Sequence, residues 1–302
     1  MTTGGSPETM SSAMAPHFRL LATTIGDWLS DQDFDARPEC QAAVDMTHRE
    51  WDDIWGEATV ELVMDATPRL AHVADHLHAY AAIATDEHAT FSGATILRAL
   101  LVSLGSTYWQ YELTVDTKER VRRFYALRLK SLAEEQNLAA APGLRGGEES
   151  VGQFIGTVDA IRESGQRAGF SWQLRTSRFG APVGQLDTAA PGDQALITGL
   201  VESPGRSPGV GATLFRLLSS VAHAQPHGMR YFMHQTDKVG PDGGELILIG
   251  LDPGWVTMLH TTTVAAVHRT VARMCGYLGW DEAEWNRIAV PALMEARRWP
   301  TR

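Results

Sequence analysis

The sequence predicts an all-α fold: a helical bundle with one small β-hairpin insertion near residues 229–251. Three observations lead there. Apolar side chains recur at helical spacing through most of the chain, and only one pair of β-prone runs flanks a turn. The composition, 44% apolar and 21% charged, is that of a globular protein. A parallel sheet would need several buried strands, which this pattern does not supply. No internal period is present, which disfavours a helical solenoid.

Residues 1–15 are mostly small and polar and read as a flexible tail, and residues 16–302 as a single helical domain. The first stripe covers residues 17–29, with Phe18, Leu21, Ile25, Trp28 and Leu29, and breaks at Ser30 to Asp33. A second stripe around residues 40–56 carries Val44, Trp51, Ile54 and Trp55. Pro68 suits the first turn of a helix running to about residue 84, with Leu70, Val73, Leu77, Tyr80 and Ala81 inward. Thr90 or Ser92 can cap the next helix, which is apolar nearly all round and is therefore central.

Asp116 can cap a following arginine-rich helix that buries Val121, Phe124, Tyr125 and Leu129 and turns its arginines to solvent. Residues 141–150 read as a loop and residues 151–168 as a helix. Residues 178–211 are dense in Gly and Pro, a loop-rich excursion with one short helical pattern at 194–201. Gly211 opens a helix that Pro226 stops. Two β-prone runs around Gly240-Pro241-Asp242-Gly243-Gly244 form the hairpin, and helices over residues 257–278 and 282–297 follow.

The net charge of −10 argues against a broad electrostatic grip on nucleic acid, and leaves room only for a small local basic groove. No apolar run reaches the roughly 18–20 residues of a membrane span, and the first residues lack the pattern of a secretory leader. No membrane partner is expected, and the compartment reads as cytoplasmic. Two cysteines, Cys40 and Cys275, are too few for a disulfide framework and lack zinc spacing; they read as core thiols. Gly205 to Gly211 is followed by no Lys-Ser/Thr pair, and dinucleotide, Gly-x-Ser-x-Gly and HExxH signatures are absent. No cofactor is expected.

One constellation is specific. Arg216 and His223 lie seven residues apart, close to two turns at about 3.6 residues per turn, so both project from one helix face. A guanidinium holds phosphate and an imidazole moves protons near neutral pH, which suits metal-independent cleavage of RNA by its own 2′-hydroxyl. Ser219 and Ser220 lie between them and can add polar contacts.

This arginine–histidine spacing resembles the signature of the HEPN superfamily of helical bundles. The longer run, Arg-Leu-Leu-Ser with His223 and Pro226 after it, also looks like helical proteins of actinobacteria. Arg98 in the central helix and the arginine-rich Glu119–Leu129 stretch match further elements of that pattern, over roughly residues 70–280. The resemblance implies a ribonuclease of a toxin or defence setting, with His223 as acid/base and Arg216 as phosphate binder, RNA as partner, and a homodimer that completes the site. Two positions depart from the pattern: Leu217 follows the arginine where a polar residue is common, and Val102 stands where a glutamate is frequent.

Other clusters carry plainer explanations. His72 and His76 are one turn apart with Asp75 beside them, but no third ligand has a convincing spacing, so a polar helix face is the simpler account. His223 and His227 have ligand spacing that Pro226 interrupts. Asp31, Asp33, Asp35, Asp52 and Asp53 read as solvated turn carboxylates. Two further readings of the whole chain stay open: a noncatalytic regulatory or partner-binding helical protein, and a small-molecule binder or biosynthetic enzyme. The latter would have an aromatic-lined pocket, drawing on tryptophans such as Trp172, Trp255 and Trp280.

Overall fold

A computed structural model describes residues 10–31, 37–48, 58–86, 90–139, 147–176, 182–202, 209–239, 245–249 and 253–299. The helices of the first half are α1 (Met10–Ser30), α2 (Gln41–Thr47), α3 (Ala58–Met64), α4 (Ala66–Ile83), α5 (Thr90–Gln110), α6 (Thr117–Ala139) and α7 (Gly147–Arg167). Strands β1 (Trp172–Thr176) and β2 (Pro182–Leu186) follow, then α8 (Asp193–Val201), α9 (Val210–Ala222) and α10 (Pro226–Met229). A short 3-10 turn leads to β3 (Met233–Val239) and β4 (Glu245–Ile249), and α11 (Pro253–Leu278) and α12 (Glu282–Arg298) come last. The fold is all-α, with the expected hairpin formed by antiparallel β3 and β4.

Several boundaries and assignments differ from expectation. Residues 10–15, expected in the tail, belong to α1 and bury Met10, Met14 and Ala15. A second antiparallel pair, β1 with β2, is also present, and β2 lies inside the 178–211 stretch expected to be irregular apart from one short helix. Its signal is weak because Leu174 points outward and Gly184 interrupts the alternation; Trp172 lies across Gly184, where a Cβ would meet the indole at 2.0 Å. The chain falls into two compact units: Met1–Asp35, Thr67–Trp109 and Asp193–Arg302 form the first, and Ala36–Ala66 with Gln110–Gly192 form the second.

In the first unit the expected stripes turn inward: Phe18, Leu21 and Ile25 of α1 are buried, with Trp28 and Leu29 half-buried, and Leu70, Val73, Leu77, Tyr80 and Ala81 of α4 are buried. Helix α5 has no exposed residue from Ile96 to Trp109, in line with its all-round apolarity. Its Gly105 lies on α8, where a Cβ would stand 2.9 Å from the Leu196 carbonyl. From α11, Thr270 donates to the Leu104 carbonyl, and the Arg273 guanidinium covers the Tyr108 ring. Arg269 donates to the Leu200 carbonyl at 2.8 Å and so satisfies an acceptor at the open end of α8. Asp281 caps α12 by accepting from Ala283 and Glu284, and Trp28 packs edge-on against Trp280.

The second unit overturns two expectations about polarity. On α2, Val44 is exposed and Asp45 is fully buried. On α6, Arg120 and Arg122 are buried, not solvated. The reason is pairing. Arg120 makes a two-pronged contact with Asp45 at 2.7 and 2.8 Å, and Thr117 donates to the same carboxylate at 2.8 Å. Arg122 grips Glu119 and donates to the Leu186 and Thr188 carbonyls. Cys40 caps α2, its sulfur accepting from the Ala43 amide, and both cysteines are buried and unpaired.

Candidate functional site

Helix α9 starts after Gly209, which adopts φ 88°, and it leans on α8 at once. A Cβ at Gly211 would stand 2.6 Å from the Thr198 Cα, and the Gly211 amide donates to the Glu202 carboxylate at 2.9 Å. Leu214, Leu217, Leu218 and Val221 form the buried stripe. Leu217 belongs to that stripe, which accounts for an apolar side chain directly after Arg216. Seven steps of about 100° fall some 20° short of two turns, so Arg216 and His223 share the opposite face. Both are exposed. Half-buried Ser219 and Phe215 flank them on the same side of the helix.

His223 is the residue that ends α9, with φ −100° and ψ 13°. The Ala224 amide donates to the Val221 carbonyl at 2.9 Å, and the Gln225 amide donates to the Ser220 carbonyl at 2.8 Å. This is the left-handed helix stop in which glycine normally supplies the positive φ. Here Ala224 holds φ 49°, whereas the ends of α7 and α11 place Gly169 and Gly279 in the left-handed region. Pro226 then takes the first turn of α10, which separates His227 from the α9 register as the sequence implies.

Ser220 does not join Arg216 and His223. Its side chain is buried, donates to the Leu217 carbonyl at 2.8 Å, and seats α10: a Cβ on Gly228 would fall 1.9 Å from the Ser220 hydroxyl. The structure instead brings Arg98 to the flank of this face. The Arg98 Cζ lies 5.6 Å from the centroid of the Phe215 ring, and its Nε is buried without a hydrogen-bond partner.

The remaining candidates are placed as follows. His72 and His76 stack with centroids 3.9 Å apart. Desolvation and the neighbouring His76 lower the His72 pKa, with Asp75 acting in the other direction. Among the described residues no group of three His, Cys, Asp or Glu side chains is arranged to hold a metal ion. Asp31 is exposed; Asp33, Asp35, Asp52 and Asp53 lie outside the described residues. Trp280 packs with Trp28, and Trp255 with Tyr231 at 5.1 Å. No helix among the described residues is long and apolar enough to cross a membrane.

Sequence reasoning passed over one buried polar pair. Tyr80 Oη and His260 Nε2 meet at 2.6 Å beside Phe18, and the His260 Nδ1 and Thr263 Oγ1 atoms have no hydrogen-bond partner among the described residues. Tyr80 looked purely apolar in its stripe, and nothing local to His260 signals a partner in α4. No family model, curated protein or solved structure matches this chain.

Proposed function

We propose that the Arg216–His223 face of α9 binds a phosphodiester and cleaves RNA without a metal. The observation that carries this reading is that both side chains stand exposed on one face, opposite the stripe that anchors the helix. Arg216 holds the phosphate and balances the charge that grows on its oxygens. Neutral His223 accepts the 2′-hydroxyl proton as that oxygen attacks phosphorus. The bond to the 5′-oxygen breaks, leaving a cyclic phosphate and a 5′-hydroxyl, and the leaving oxygen takes a proton from an imidazolium. A second copy of the chain supplies that second histidine in a homodimer.

Local charge favours this face despite the acidic whole. Between Glu202 and Asp237 the sequence contains Arg206, Arg216 and Arg230 and no carboxylate, against a net charge of −10 overall. Recognition therefore falls on a few local cations.

The test is expression in a bacterium together with incubation of purified protein and single-stranded RNA in chelator. Slowed growth and chelator-resistant cleavage, both relieved by His223→Ala, are expected. Wild type and His223→Ala that grow alike and leave RNA intact would remove the proposal.

A further inference from the structure

We propose that Arg98 is a second phosphate-binding residue of this same face, so that the site grips two neighbouring phosphates of one single-stranded RNA. The inference rests on the RNA reading of Arg216 and His223. A guanidinium stays charged at every physiological pH and seeks oxygen acceptors. The arginines of the second unit find them: Arg120 on Asp45, and Arg122 on Glu119. Arg98 is half-buried and makes no hydrogen bond or ion pair among the described residues, although the chain carries 36 carboxylates.

A buried donor left without an acceptor is a standing cost, and in native proteins such groups call for a specific cause. The Phe215 ring offsets part of it through cation–π attraction and fixes where the guanidinium sits. Phe215 precedes Arg216 in the chain and flanks the exposed face. One permanent cation therefore lies over the ring and a second, Arg216, is the next residue along the exposed face, the combination of charge and π-surface by which proteins hold single strands. The Nε itself is sealed from solvent, so a phosphate oxygen from outside meets the terminal nitrogens of the guanidinium, which carry no partner among the described residues either.

The experiment measures binding of a labelled 2′-O-methyl RNA, which cannot be cleaved, across a range of salt. Arg98→Met keeps the straight stem against Phe215 and removes the charge; Arg98→Lys keeps the charge. For Arg98→Met we expect affinity to fall about tenfold or more, and the slope of log affinity against log salt to shrink by about one phosphate's worth. Arg98→Lys should retain the wild-type slope. The melting temperature of Arg98→Met should be at or above wild type, because no hydrogen bond is lost.

If wild type binds and Arg98→Met matches it in affinity and slope, the Arg98 role is wrong while the RNA reading stands. A lower melting temperature for Arg98→Met together with a wild-type salt slope for the same variant would make Arg98 a structural residue and overturn the inference. Wild type that neither binds this RNA nor cleaves its unmodified counterpart would end both.

Discussion

Tyr80 and His260 are 180 residues apart in the chain, yet their phenol and imidazole meet at 2.6 Å in the core of the first unit. Burial sets the chemistry of both. It raises the Tyr80 pKa, and it lowers that of His260 from 6.5 to about 4, so both are neutral in the folded protein at pH 7.

The sign of the pH dependence follows. Unfolded His260 takes up a proton near its ordinary pKa, whereas folded His260 resists until about pH 4. Its contribution is therefore complete above pH 6.5 and is lost as the pH falls toward 4. The shift corresponds to roughly 3 kcal/mol. Melting temperature measured at pH 7.5 and pH 5 should fall for wild type and change far less for His260→Leu. Equal slopes for the two proteins would refute it. Tyr80→Phe, which strips the imidazole of its partner, should cost about 1–3 kcal/mol at pH 7.

The Asp45–Arg120 pair of the second unit predicts an asymmetry. Asp45 is 0% and Arg120 1% exposed, so removing one partner strands a buried charge. Asp45→Ala should lower unfolding free energy by about 3–5 kcal/mol, whereas the paired replacement Asp45→Leu/Arg120→Met should cost much less. Urea unfolding of the single and double variants checks this, and additive losses would contradict it.

Ala224 is the residue whose backbone the stop of α9 strains. Left-handed alanine costs about 1–2 kcal/mol, of which glycine's extra freedom in the unfolded chain returns part. Ala224→Gly should therefore stabilise the protein by about 0.5–1 kcal/mol in thermal or urea melts. Ala224→Val, β-branched at a positive φ, should destabilise it. A drop in stability for the glycine variant would show that the strain is not there.

Gly211 tests how the candidate site is mounted. A Cβ there would meet Thr198 Cα, a backbone atom that cannot swing aside. Gly211→Ala should cost about 1–3 kcal/mol, the range for overpacking, and should lower the RNA cleavage proposed above by displacing α9. Gly26→Ala, whose Cβ meets nothing within 4 Å, serves as the control and should not destabilise. Matching melts for the two variants would mean that the α8–α9 contact is softer than its geometry implies.

The helical class, the absence of exposed residues along most of α5, the hairpin of β3 and β4 and the shared helix face of Arg216 and His223 were all legible in the chain, whereas the exposure of that face was not. Each depends on spacing along one element: a stripe every three or four residues, β-prone runs around Gly-Pro, and seven steps along α9. Tertiary structure alone decided which polar groups are buried and with whom. Asp45 replaces Val44 on the inner face because Arg120 arrives from α6; Ser220 turns inward because Gly228 leaves room for it; Arg98 reaches Phe215 across two helices. These are contacts between residues distant in sequence, and the burial of a charge is stabilised or penalised only by the partner that meets it.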